Sequence, residues 1–267
     1  MAELRLGGAT APVHSVGLSF TVGNGRTHRE AFVRASFRVW LLGGLFAVIS
    51  CLVFGAAISH SRANRPLNID IAWMVFLREH RSPIALAVSQ FLAEFGGGII
   101  GGAVVPLAVM AAFGLARRPW AAVFFGVTTV VSAESVVLLK LLFDRPRPGH
   151  LVLGDIVGSF PSGHAANAAT LVVLMGFLLR RRWVVAVGTL YLPVMMISRT
   201  YLGVHWLSDT IGGALVGLGI PMFIFGLAAP VLEKEQERER NRAQARGSGD
   251  RQQSRGSADR QQASLPD

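Results

Sequence analysis

Three short polar stretches of this chain carry the side chains that chemistry on a phosphate ester requires. Lys140 is followed by Arg147-Pro148, then comes Pro161-Ser162-Gly163-His164, and Ser198-Arg199 precedes His205 and Asp209. A phosphoryl group in transfer spreads negative charge over its equatorial oxygens, and cations and N–H donors stabilise it there. Lys140, Arg147, Arg199, Ser162 and the Gly163 N–H are donors of that kind. One neutral histidine can attack phosphorus while a second, protonated one donates to the departing oxygen. His205 suits the first role, because a helical spacing would set Asp209 one turn away on the same face, where a carboxylate fixes the tautomer of an imidazole. His164 suits the second.

Each stretch also has a plainer reading. A Lys and an Arg at a helix end snorkel to a membrane interface, Ser162 reads as an N-cap, and His205 reads as an interfacial histidine. Gly163 and His164 open a hydrophobic run, and a helix N-terminus is itself an anion site. Convergence decides between the readings, and convergence depends on the elements that carry the stretches. The chain has 267 residues, 51% of them hydrophobic and 16% charged, with a mean hydropathy of +0.46. Such a composition belongs to membrane proteins.

About 20 apolar residues cross a bilayer as a helix, and runs near that length predict spans at 39–59, 95–116, 120–139, 165–179, 183–197 and 210–232. The expected fold is therefore all-α, a polytopic bundle of six transmembrane helices. Basic clusters at Arg117-Arg118 and Arg180-Arg181-Arg182 fall between spans, where the positive-inside rule places them in the cytoplasm. They account for much of the +10 net charge without nucleic acid as a partner. At 1.5 Å per residue the chain rises about 33 Å from Arg118 to Lys140, enough to cross. The next two crossings return it, so Lys140, Arg147, Ser162, His164, Arg199 and His205 share the outer face. Both termini are then cytoplasmic.

Residues 1–38 read as a cytoplasmic, partly disordered segment without the apolar core of a signal peptide. Residues 39–232 form the membrane domain. Residues 233–267 form a charged, disordered cytoplasmic tail, although the alternating charges from Glu233 to Arg240 would also extend the last helix into solvent. Residues 68–92 mix apolar side chains with Asp70, Arg78, Glu79, His80 and Arg81, the pattern of a helix lying at the interface between the first two spans. Pro83 and the charges argue against a seventh span. The single cysteine, Cys51, reads as packing. Glu134 lies within the third span and is left without a role.

Taken as a triple, Lys-x6-Arg-Pro, Pro-Ser-Gly-His and Ser-Arg-x5-His-x3-Asp resemble the signature of the type 2 phosphatidic acid phosphatase superfamily, which includes lipid phosphate phosphatases and, more distantly, vanadium haloperoxidases. The resemblance covers residues 68–232. It implies a helical bundle whose last three helices frame the site, and a phosphohistidine at His205 oriented by Asp209. His164 would protonate the leaving group and later activate water. Lys140, Arg147, Arg199, Ser162 and Gly163 would bind the phosphate, with no metal and no cofactor. Arg145-Pro146 is a second Arg-Pro pair, and Arg147 is taken because its spacing from Lys140 matches the signature.

The expected function is a membrane lipid phosphatase of the plasma (inner) membrane with its site on the periplasmic side. Its partners would be the bilayer and a lipid phosphate: a polyprenyl phosphate or diphosphate by preference, or phosphatidate, lysophosphatidate or phosphatidylglycerophosphate. The rivals are a vanadium-dependent haloperoxidase, a transporter using Glu134 and Lys140, and a silent lipid-binding relative. A neutral His205 beside a protonated His164 predicts a bell-shaped pH dependence.

Overall fold

The computed structural model describes residues 25–62, 64–148 and 158–262, and every regular element among them is helical. In chain order they are α1 (Gly25–Arg62), α2 (Asn68–Glu79), α3 (Pro83–Gly96), a π-helical turn (Ile100–Val104) leading into α4 (Val105–Leu115), α5 (Pro119–Phe143), α6 (Gly163–Leu179), α7 (Arg182–Tyr201) and α8 (Leu207–Gln262). The described residues from Ser36 onward form one compact unit. The expectation of partial disorder for residues 1–38 falls mostly on positions outside the described residues.

The protein is an integral membrane protein. Four segments, Phe37–His60, Pro119–Phe143, Arg182–Tyr201 and Leu207–Arg242, are long and apolar enough to cross a bilayer. The bent pair Pro83–Gly96 and Ile100–Leu115 makes a fifth. α6 has 17 residues and rises about 26 Å, slightly short of a hydrocarbon core of roughly 30 Å. Large apolar side chains point outward all around the bundle, with Phe46 73% and Leu190 69% exposed. A water-soluble surface rarely presents so continuous an apolar belt.

Two expected boundaries move. The single interfacial helix expected over 68–92 is two helices. Ser82 caps α3, its Oγ accepting from Ala85 N at 3.5 Å, and Pro83 occupies the first turn, where its missing N–H costs nothing. The expected second span, 95–116, begins earlier, at Pro83, and bends by 42° at the glycines between α3 and the π-helical turn. Asn167 of α6 holds that bend, its Nδ2 donating to Gly96 O and Gly101 O, each at 3.1 Å. The last helix likewise does not stop at 232. α8 continues through the charged stretch, where opposite charges three residues apart, such as Glu237 and Arg240, support a helix. Glu235 is only 6% exposed and accepts from Trp120 N at 2.9 Å and Ala121 N at 3.0 Å, capping α5. Residues 263–267 lie outside the described residues.

Two clusters fill the interior. One packs Phe113, Phe124, Phe125, Leu174, Leu178 and Phe225 at the Arg118 end. The other packs Cys51, Val136, Phe143, Phe160, Ala166 and Val216 near the polar loops. Between α6 and α8 the backbones nearly touch. A Cβ on Gly213 would collide with Ser162 O, and one on Gly217 with Ala166 O. These small residues, one turn apart, press the first turns of α6 and α8 together.

Candidate active site

The three polar stretches meet at one end of the bundle. Lys140 lies in the last turn of α5, Ser162 is the N-cap of α6, Arg199 lies in the last turn of α7, and Asp209 sits in the first turn of α8. Backbone bonds between the loops fix their spacing. Ser162 N donates to Asp209 O at 2.9 Å, and Ser159 N to Arg145 O at 2.7 Å. Lys140 Nζ donates to Gly158 O at 2.8 Å, and Arg147 Nη1 to Val204 O at 3.0 Å. Trp206 Nε1 donates to Pro146 O at 3.0 Å, closing the loop before α8 onto the Arg-Pro stretch.

His205 is 3% exposed in the link between α7 and α8, just outside the helix. Its Nδ1 lies 3.6 Å from Asp209 Oδ2, an ion-pair separation longer than a hydrogen bond. Asp209 Oδ2 instead accepts from Trp206 N at 2.9 Å, in the manner of a capping box. Burial pushes the His205 imidazole down to about 4, against the opposing pull of Asp209 and with the help of Lys140 and Arg147. The ring is therefore neutral at ordinary pH, with Nδ1 as the nitrogen that faces Asp209.

His164 opens α6, half-buried, and its Nε2 donates to Ala93 O of α3 at 3.0 Å. Arg199, Lys140 and His205 all lie close enough to His164 to act on it electrostatically. Arg199 itself is 8% exposed. Ser162 is fully buried, and its Oγ has no hydrogen-bond partner among the described residues. Gly163 places the first free helical N–H beside it, the donor geometry of an anion site. Beneath these groups a cavity of about 320 Å³ runs along α5, lined by Lys140, Val136, Ala133 and Thr129, with Gly163, His164 and Thr170 of α6 opposite. From Lys140 to Thr129 it follows α5 for about 16 Å into the apolar belt.

A profile of the PAP2 superfamily matches residues 120–230. Decaprenylphosphoryl-5-phosphoribose phosphatase of Mycobacterium tuberculosis is 34% identical over 140 residues, 51% of this chain and 76% of the relative. The chain belongs to the PAP2 superfamily. It is also 25% identical to undecaprenyl-diphosphatase of Sulfolobus acidocaldarius over 67% of this chain and 85% of that one. Among solved structures it is similar to the transmembrane PAP2-type phosphatidylglycerolphosphate phosphatase of Bacillus subtilis, with a TM-score of 0.57 and 25% identity over 72% of this chain and 96% of the other. These relatives are membrane lipid phosphatases.

Arg145, passed over in favour of Arg147, turns out to be 1% exposed. Its Nη1 contacts Asp209 Oδ1 at 2.6 Å and Ser208 Oγ at 2.7 Å, and its Nη2 contacts Asp70 Oδ2 at 2.9 Å. Asp70 and Ser208 are the residues that sequence reasoning missed. Their signal was a surplus: two Arg-Pro pairs stand next to each other, and a second guanidinium folded inside needs a second carboxylate. Glu134, the other unassigned carboxylate, faces outward from α5.

Proposed function

We propose that the protein is a metal-independent lipid phosphatase working through a phosphohistidine at His205. The observation that carries this reading is the meeting of a buried, neutral imidazole with Lys140, Arg147, Arg199 and the α6 N-terminus above a cavity that descends into the apolar belt. A headgroup phosphate would sit among the cations and the Ser162 and Gly163 donors while the first part of its tail follows α5. The donors facing it are cations and N–H groups, so the charge of the transferring group is met without a metal.

In the first step the Nε2 lone pair of His205 forms the P–N bond as the bond from phosphorus to the leaving oxygen breaks. His164, protonated on both ring nitrogens once the phosphate anion sits beside it, releases Ala93 O and gives the leaving oxygen its Nε2 proton, becoming neutral. In the second step a water loses its proton to His164 and attacks phosphorus, the P–N bond breaks, and inorganic phosphate leaves with His205 restored. Arg117-Arg118 and Arg180-Arg181-Arg182 occupy the opposite end of the bundle and mark it as cytoplasmic. The site then faces the periplasm, with both termini inside.

A polyprenyl phosphate or diphosphate is the preferred substrate class, supported by the polyprenyl-linked substrates in the names of two relatives, decaprenylphosphoryl-5-phosphoribose phosphatase and undecaprenyl-diphosphatase. The test is phosphate release by purified protein in detergent with excess EDTA, across polyprenyl phosphates and diphosphates, phosphatidate and phosphatidylglycerophosphate, for wild type beside His205→Ala. Release that survives EDTA and falls by about 10⁴-fold or more in the variant is expected, since removing a nucleophile costs on this order or more. Release abolished by EDTA, or retained by His205→Ala, would sink the mechanism.

A further inference from the structure

Behind the proposed nucleophile lies a charge cluster that no phosphate would touch. Arg145, Asp70 and Asp209 have side chains with 0% exposure and are joined by two ion pairs. Every bond around Asp70 is made. Its Oδ2 accepts from Arg145 Nη2 at 2.9 Å, Ser208 Oγ at 2.8 Å and Leu67 N at 2.9 Å, and its Oδ1 accepts from Ser208 N at 2.9 Å. Asp70 belongs to α2, outside the helices that hold the three signature stretches. α2 is also fixed to the end of α7, where Trp73 Nε1 donates to Thr200 Oγ1 at 2.9 Å beside Arg199.

We infer that Asp70 is a positioning residue for catalysis: by neutralising Arg145, it leaves the negative charge of Asp209 available to His205. The inference rests on the phosphohistidine reading above. Paired with Asp209 alone, the Arg145 guanidinium would cancel the carboxylate that faces the imidazole. Two carboxylates around one guanidinium keep one net negative charge in the cluster. That charge is needed when Nε2 bonds phosphorus, because the ring then becomes an imidazolium bonded to phosphorus at one nitrogen and carrying a proton at the other. Ionic groups this deeply buried act on one another far more strongly than exposed ones. An interaction that strengthens only as the ring becomes charged lowers the barrier without tightening substrate binding.

The deciding experiment is steady-state kinetics on Asp70→Asn, the charge-balanced double variant Asp70→Asn with Arg145→Gln, and His205→Ala, in the same detergent as wild type. Asp70→Asn should lose about 100-fold in kcat with KM changed less than about threefold. The double variant restores the single net negative charge of the cluster, now carried by Asp209 alone, and should return to within about tenfold of wild-type kcat. A purely structural role predicts instead a smaller folded fraction with kcat per folded molecule unchanged in both variants. Wild-type kcat in Asp70→Asn, or a double variant no better than the single, would overturn the inference. Should Asp70→Asn not be recovered folded, a folded double variant within about tenfold of wild type upholds it, and a larger loss overturns it. Activity in His205→Ala would instead remove the underlying mechanism, so the two failures are read separately.

Discussion

At the site end of the bundle Arg145 meets Asp70 and Asp209 with none of the three side chains exposed. At the opposite end Arg180 and Glu233 stand 3.8 Å apart with 46% and 31% of their side chains exposed, and Arg118 meets Glu239 at 3.1 Å with 13% and 32% exposed. The same residue types are thus worth different things. A buried pair cannot lose one partner without stranding the other, at a cost of about 3–5 kcal/mol, whereas an exposed pair contributes roughly 0–1 kcal/mol. Glu235 is the exception at the far end, because its buried carboxylate bonds backbone N–H groups rather than a mobile cation.

That contrast can be broken in order of effect. Asp209→Asn should lower kcat by about 10⁴-fold, the scale on which an orienting carboxylate acts on a histidine. A loss under about tenfold would mean that Asp209 serves only as the cap of Trp206 N. The acid limb of kcat/KM, corrected for the substrate's own phosphate ionisation, should lie near pH 4 to 5. His205 must be neutral to attack, and its ring is held down to about 4, so activity persists below the usual histidine range and is lost as pH falls through that value. A limb centred near 6.5 would place His205 in water rather than in the interior. Glu235→Gln should cost about 1–2 kcal/mol of stability, read as a lower thermal midpoint in detergent, with kcat per folded molecule unchanged. A change in kcat would show the far end to be coupled to the site. Arg180→Ala should shift stability by less than about 0.5 kcal/mol, and a larger loss would erase the distinction between the ends.

Much of the site was legible because its chemistry is concentrated in short runs. Lys140, Ser162, His164, Arg199, His205 and Asp209 could be assigned to one face from helix lengths alone, and the structure places them at one end of the bundle. Hydropathy located α1, α5, α7 and α8, because each keeps an apolar run long enough to be read without neighbours. It failed where tertiary contacts decide the outcome. Pro83 looks like a breaker and is a helix start, and the bend after Gly96 is held by Asn167 from a helix distant in sequence. The burial of Glu235 was hidden because it reads as one charge in a solvated run until α5 is laid against it. Asp70 escaped for the same reason, since its partners lie 75 and 138 residues away.

α8 supplies Asp209 at one end of the bundle and Glu235 at the other, and it is the last of the described helices to leave the ribosome. Until it does, the amides of Trp120 and Ala121 lack the carboxylate that caps them, and Arg145 holds only one of its two acidic partners. A nascent chain halted after α7 already contains Lys140, His164 and Arg199 but not His205. Under the phosphohistidine reading, biosynthesis therefore keeps the half-built protein silent, and the nucleophile arrives with the helix that closes the bundle at both ends.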